Sequence, residues 1–216
     1  VISLAHRGIL FMDELPEFRR NTLEILRQPL EDKRIHIART YGSFIYPADF
    51  MLVAAMNPCP CGYYPDRSRC NCSDAEIKKY LSKISGPILD RIDVVAEAPR
   101  VDIHQLSATM QNECSADIKA RVMEARERQK YRYKNTAYRF NAEIGSGDIR
   151  TYCKLGTGEQ KMMEEVFTMM NLSARAYHKV IKVARTIADL EGKDDICTEH
   201  ISEAVCYRRN DKDYWG

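Results

Sequence analysis

The sequence contains no run of the roughly twenty apolar residues that a bilayer-spanning helix needs, so no membrane span is expected. It also lacks an excess of charge of either sign. Thirty-three Lys and Arg against 31 Asp and Glu leave a net charge of +2, so any nucleic-acid contact must rest on a local concentration of cations. A charged n-region, apolar h-region and small-residue cleavage site are missing after Val1; no secretory leader is expected, and the chain reads as part of a longer cytoplasmic protein. There is no internal repeat, no low-complexity tract and no Cys-x-x-Cys knuckle. Eight cysteines are nevertheless present, four clustered (Cys59, Cys61, Cys70, Cys72) and four dispersed (Cys114, Cys153, Cys197, Cys206). That distribution favours one metal site in a cytosolic protein over a disulfide framework.

With 216 residues, 44% hydrophobic and 30% charged, the chain can bury one substantial core plus a smaller second one. Residues 1–98 carry strand signals. Ile9 to Met12 has the apolarity of a parallel strand buried on both faces, and residues 21–28 read as a short helix ended by Pro29. Ile35, Ile37 and Phe44 alternate with Arg34, His36 and Ser43 around Thr40-Tyr41-Gly42, the pattern of a β-hairpin. Strands are also expected at 50–56 and 92–96. The fold class expected here is α/β.

Beyond Pro99 the strand signals stop. Residues 99–147 read as a long amphipathic helix capped by Ser115, with a stripe through Ile118, Val122, Ala125, Gln129 and Tyr133, then a linker at 138–147 made flexible by Gly145-Ser146-Gly147. Residues 148–216 read as a helical domain. Thr157-Gly158-Glu159-Gln160 matches a capping box; Ser173 caps a helix that Gly192 terminates; Thr198 caps a last helix to about Tyr207.

Several patterns carry chemistry. Asp13 and Glu14 follow an apolar strand directly, and ligand sites in open α/β sheets lie beyond the carboxyl ends of strands. There one acid can hold Mg²⁺ while the other orients a water, as ATP hydrolysis requires. Asn57 ends the next strand, where its amide can meet a phosphate oxygen or that water. Arg91 stands among apolar residues and two aspartates, Asp90 and Asp93, with which it can also simply pair. The four clustered cysteines, spaced Cys-x-Cys, eight residues, Cys-x-Cys, suit a tetrahedral structural Zn²⁺. Arg34, His36, Arg39 and the turn residue Tyr41 offer cationic and stacking groups to a nucleic acid, against the simpler reading of a solvated hairpin. Arg126, Arg128, Lys130, Arg132 and Lys134 read as a solvated helix face.

In this order, the acidic strand end, hairpin, Asn57, the segment Gly86-Pro87-Ile88-Leu89-Asp90-Arg91-Ile92-Asp93, and Ser173-Ala174-Arg175 resemble the magnesium-chelatase-like branch of the AAA+ ATPases, within it the ComM/YifB competence-protein group. The likeness covers essentially the whole chain, and Val183-Ala184-Arg185-Thr186-Ile187-Ala188-Asp189-Leu190 is among its specific segments. It implies the C-terminal half of an AAA+ α/β core with a hairpin insertion, followed by an all-helical lid. It implies a ring oligomer, a hexamer in this branch, that hydrolyses ATP with Mg²⁺ and acts on DNA. By the same resemblance Asp13 and Glu14 match the Walker B pair, Asn57 sensor 1, Arg91 the arginine finger offered to a neighbouring subunit, and Arg175 sensor 2.

One departure matters. No Gly-x-x-x-x-Gly-Lys-Ser/Thr loop occurs in the chain, so by itself it is expected neither to hold ATP tightly nor to hydrolyse it. Two alternatives keep most of these observations: a motor subunit serving a chelatase that inserts Mg²⁺ into a tetrapyrrole, and a zinc-stabilised nucleic-acid-binding module without catalysis.

Overall fold

The structure is a computed structural model that describes residues 1–98 and 113–215, with side chains up to Arg208. Expectations for residues 99–112 lie outside the described residues. The chain forms two compact units, one built on Val1–Ile92 and one on Asp93–Asn210.

The first unit is organised by a parallel pair, β1 (Ile9–Met12) and β4 (Met51–Ala54), in register from Ile9 opposite Met51 to Met12 opposite Ala54. A parallel pair cannot be closed by a tight turn. Its crossover consists of a 3₁₀ turn (Leu15–Glu17), α1 (Arg20–Ile25), α2 (Arg27–Asp32) and the antiparallel hairpin β2 (Arg34–Arg39) and β3 (Gly42–Pro47). After β4 come a cysteine-bearing loop, α3 (Asp74–Leu81) and α4 (Gly86–Leu89). Met12, Leu15, Leu23, Leu26, Ile84, Ile88 and Leu89 form the core against one face of the parallel pair.

The expectation that β1 is buried on both faces is not met. Pleating sends Leu10 and Met12 inward, while Ile9 and Phe11, with their partners Met51 and Val53, stay exposed. Pro29 also acts differently from expectation. It lies in the first turn of α2, where no donor is required, and the helix breaks earlier, at Leu26, because the proline ring opposes the carbonyl four residues back. Residues 92–96 do not form a strand; Ile92 packs on the core and Val95 N–H donates to the Tyr207 carbonyl at 3.1 Å.

The second unit is helical: α5 (Ser115–Arg132), α6 (Ile149–Tyr152), α7 (Thr157–Met169), α8 (Ala174–Leu190) and α9 (Thr198–Trp215). Met163, Val166, Val180, Ile181, Ala184 and Ile201 lie in its core. Ser173 does cap α8, its Oγ accepting from Ala176 N–H at 3.1 Å, and Gly192 terminates it with φ +74°. Other expectations need correction. Cys114, not Ser115, is the residue before α5, and no side chain caps there. Gly156 holds the corresponding place before α7, so Thr157 is already helical and makes no capping box. The last helix continues past Tyr207 to Trp215. On α5 the stripe is buried only from Ala125 through Gln129 to Tyr133; Ile118 and Val122 are exposed.

The supposed linker at 138–147 is packed. Asn141 and Ile144 are almost fully buried, and Asn141 stands at the centre of a polar network. Its Nδ2 donates to Asp189 Oδ2 (2.9 Å) and Thr186 Oγ1 (3.0 Å), and its Oδ1 accepts from Tyr133 Oη (2.6 Å) and Arg132 Nη1 (3.1 Å). Arg132 also grips both carboxylate oxygens of Asp189, so it is not part of a solvated face. Arg185 adds a third cationic contact to Asp189 at 3.1 Å and donates to the carbonyls of Lys193 and Asp194. The Asp189 carboxylate holds the Arg132 guanidinium firmly protonated.

Candidate active site and metal centre

Parallel pairing brings the acidic residues and Asn57 to one end of the two strands. Ala55 N–H donates to Met12 C=O (2.9 Å), and Leu15 N–H to Ala55 C=O (3.0 Å), continuing the ladder just past both strands. Asp13 and Glu14 leave β1 at that end, and Asn57 follows β4 there. Asp13 Oδ1 accepts from the Glu14 N–H at 2.9 Å, leaving Oδ2 without a protein donor among the described residues. Glu14 has left-handed backbone angles (φ 49°, ψ 48°), costly for a residue with a Cβ. Both carboxylates are exposed. An open carboxylate oxygen beside a second acid is a donor set suited to hydrated Mg²⁺ and an attacking water.

Asn57 is bounded by the cysteine loop. Gly62, in a turn closed by its own N–H to the Cys59 carbonyl (3.0 Å) and with φ +77°, lies so near that an added Cβ would stand 3.7 Å from the Asn57 amide. Behind this end sits buried Tyr80, whose hydroxyl is pushed up by burial, the Glu17 carboxylate, Cys59 and Glu14.

The four cysteines converge. Sγ of Cys59 is 3.4 Å from Cys61 and 3.8 Å from Cys70; Cys61 and Cys70 are 3.6 Å apart, and all four sulfurs lie within 4.8 Å of one another. Disulfide sulfurs would be about 2 Å apart. A tetrahedron of sulfurs around zinc has edges of about 3.8 Å. A backbone N–H from Tyr63 helps bring the Cys61 thiol down to about 6. The Cys61 backbone favours the Cys72 thiolate, yet burial and the neighbouring thiols push Cys72 up to about 12. A cation at the centre of the four sulfurs would offset the repulsion between their thiolates, which is what a bound Zn²⁺ would supply. Just beyond Cys72 a reciprocal capping box, Ser73 with Glu76, starts α3 and anchors the loop.

Arg91 pairs with neither flanking aspartate. Its Nη2 binds the Glu31 carboxylate, Nη1 the Pro87 carbonyl (2.7 Å) and Nε the Arg27 carbonyl (3.1 Å); Asp93 pairs instead with Lys179 at 2.7 Å. Arg175 is exposed in the first turn of α8, in the other unit.

The hairpin forms as expected, but its register separates the cations. Cross-strand partners share a face. Arg34 and His36 share one with Pro47 and Ile45, whereas Arg39 joins Ile35, Ile37, Phe44 and Tyr46 on the other. Tyr41 at the turn is 98% exposed, and Phe44 and Tyr46 are also open. The alternation marks Phe44 as an apolar hairpin position, but only the register puts it and Tyr46 on the same open face as Arg39. In the 183–190 segment, Arg185, Thr186 and Asp189 build the buried network, which residue spacing alone does not show.

Comparison with known proteins identifies the family. Residues 1–106 match the model "Magnesium chelatase, subunit ChlI", and residues 112–208 match "Magnesium chelatase, subunit ChlI C-terminal". The chain is 46% identical over 212 residues to the uncharacterized protein YifB of Escherichia coli, covering 98% of this chain and 41% of that protein. It is 43% identical over 208 residues to the competence protein ComM of Haemophilus influenzae (96% and 40%) and 36% identical over 212 to Rv2897c of Mycobacterium tuberculosis (96% and 41%). It thus spans about two-fifths of the length of these relatives. No helix among the described residues is long and apolar enough to cross a membrane. With the α/β core, hairpin and helical unit in place and both family models matched in sequence order, the chain belongs to the magnesium chelatase ChlI family, alongside YifB and ComM.

Proposed function

We propose that this chain is part of an ATP-driven ring motor of the AAA+ type, hexameric when full length, which acts on DNA in the cytoplasm. The observation that carries this reading is the common strand end of Asp13, Glu14 and Asn57, with Glu14 in a left-handed conformation. Asp13 holds hydrated Mg²⁺, Glu14 takes a proton from the attacking water, and Asn57 orients that water or the γ-phosphate. Arg91 is the finger presented to ATP on a neighbouring subunit, and Arg175 is sensor 2. Residues 1–98 then serve as part of the core and 148–216 as lid, with residues 115–147 packed into the same helical unit as the lid. Lacking a phosphate loop, this chain alone does not turn over ATP.

The Cys59, Cys61, Cys70 and Cys72 cluster holds structural Zn²⁺ that staples the loop against Asn57. Elemental analysis of protein purified without chelator should find about one zinc per chain; less than about half an equivalent refutes this site. DNA is supported by the cations and open aromatics of the hairpin (Arg34, His36, Arg39, Tyr41, with Phe44 and Tyr46) and by similarity to a competence protein. The deciding experiment measures ATP turnover by the full-length protein with and without single- and double-stranded DNA. DNA-stimulated turnover is expected. Stimulation solely by a chelatase partner would move the substrate from DNA to tetrapyrrole metal insertion, and no turnover at all would leave a binding module.

A further inference from the structure

Arginine is effective beside a transferring phosphoryl group only when its planar fork is held in a defined direction, because the free side chain must otherwise lose considerable rotamer freedom. Arg91 is already held. Its side chain is only 13% exposed, and three groups from two parts of the chain bind its three nitrogens: Arg27 C=O at Nε, Pro87 C=O at Nη1 and the Glu31 carboxylate at Nη2. Two of these anchors, Arg27 and Glu31, are on α2, and Pro87 is in α4, whose Ile88 and Leu89 are buried in the core. A guanidinium has five N–H groups, so two N–H vectors, one on each terminal nitrogen, remain for a phosphate. Among the three anchors Glu31 alone is ionic and a side chain, and thus supplies the strongest and the mutable one.

We infer that Glu31 is a positioning residue for Arg91: it fixes the guanidinium so that its remaining N–H groups face the neighbouring subunit's ATP. The inference rests on the arginine-finger reading given above. Glu31 also ties the finger to the hairpin. It lies three residues before β2, and the hairpin base is pinned to the end of α2 by Ala48 N–H to the Lys33 carbonyl (2.8 Å) and by the Lys33 to Asp49 ion pair (3.2 Å). A displacement of the hairpin base therefore acts on the helix that orients Arg91.

The test is steady-state ATP turnover by the assembled full-length protein and its Glu31→Ala, Glu31→Gln, Arg91→Ala and double Glu31→Ala/Arg91→Ala variants, with thermal unfolding recorded for each. Glu31→Ala should lower kcat about 10- to 100-fold, by analogy with outer-shell partners of metal ligands, with KM for ATP unchanged. Glu31→Gln, which keeps an acceptor oxygen, should recover part of the loss, and the double variant should be no slower than Arg91→Ala alone. Wild-type turnover in Glu31→Ala, faster turnover, or additive losses in the double variant would overturn the positioning role. If Arg91→Ala turns over normally, the arginine-finger reading fails and the inference falls with it; absence of turnover in the wild-type protein removes the ATPase reading beneath both.

Discussion

Two clusters of acid and amide side chains occupy this chain, and they are built oppositely. Around Asp189 the carboxylate is fully buried and partnered: Asn141, Arg132 and Arg185 bind it, while Tyr133 and half-buried Thr186 complete the contacts of Asn141. At the β1 end Asp13 and Glu14 are exposed, one carboxylate oxygen of Asp13 lacks a protein donor among the described residues, and Glu14 accepts an unfavourable backbone conformation. A polar cluster closed around a fully partnered, buried carboxylate specifies packing. Open valence next to local strain marks a place where a ligand completes the set.

The contrast can be broken most forcefully at Asp189. Replacing it with Ala leaves Arg132 and Arg185 with uncompensated charge and should destabilise the helical unit by about 3–5 kcal/mol in urea unfolding. A loss under about 1 kcal/mol would show that the network is dispensable. Next in size, Glu14→Gln in the full-length protein should slow ATP turnover about a hundredfold, roughly 3 kcal/mol of transition-state stabilisation, while stability changes by no more than about 0.5 kcal/mol. A large loss of stability there would place Glu14 with the packing residues.

A smaller effect lies in pH. Burial pushes the Cys153 thiol, packed beside Tyr133 and Tyr152, up to about 11. The unfolded thiol ionises near pH 8.5, so stability from keeping it protonated is complete below that pH and is lost as pH rises to about 11. Comparing unfolding at pH 8 and pH 10.5 should show a decline of about 2 kcal/mol that Cys153→Ala reduces; an identical slope in the variant would assign the decline elsewhere. The smallest gain in stability is expected of Glu14→Gly. Relief of the left-handed strain should raise stability by about 1 kcal/mol or less while abolishing turnover, opposite signs that a purely structural glutamate would not produce.

Much of the chain was legible because local rules operate there. The apolar run of β1, the hairpin alternation, the Ser173 cap and the paired Cys-x-Cys spacing each depend on neighbours in sequence. Errors arose where distant parts compete with local preference. Pro29 locally signals a helix end, yet a first-turn proline costs nothing in α2. The glycines of 138–147 suggest a flexible linker, yet the Asn141 side chain finds four partners, Arg132 and Tyr133 at the end of α5 and Thr186 and Asp189 on α8. Arg132 reads locally as one of several solvated cations, because nothing near it in sequence signals that Asp189, 57 residues away, receives it.

Sequence alone determined the residue types and their order: an acid pair after a strand, an amide after the next, a cysteine quartet and a cationic hairpin, and with them the family. These features are written in residue identity and short spacing. Tertiary structure decided the company each side chain keeps. It closed the sulfurs to within 4.8 Å, divided Arg39 from Arg34 and His36, gave Arg91 to Glu31 instead of Asp90 or Asp93, and sealed Asp189 among its cations. Such pairings depend on burial and strand register, because the free energy of a charge or thiol is set by which groups replace its water, and those groups come from remote parts of the chain.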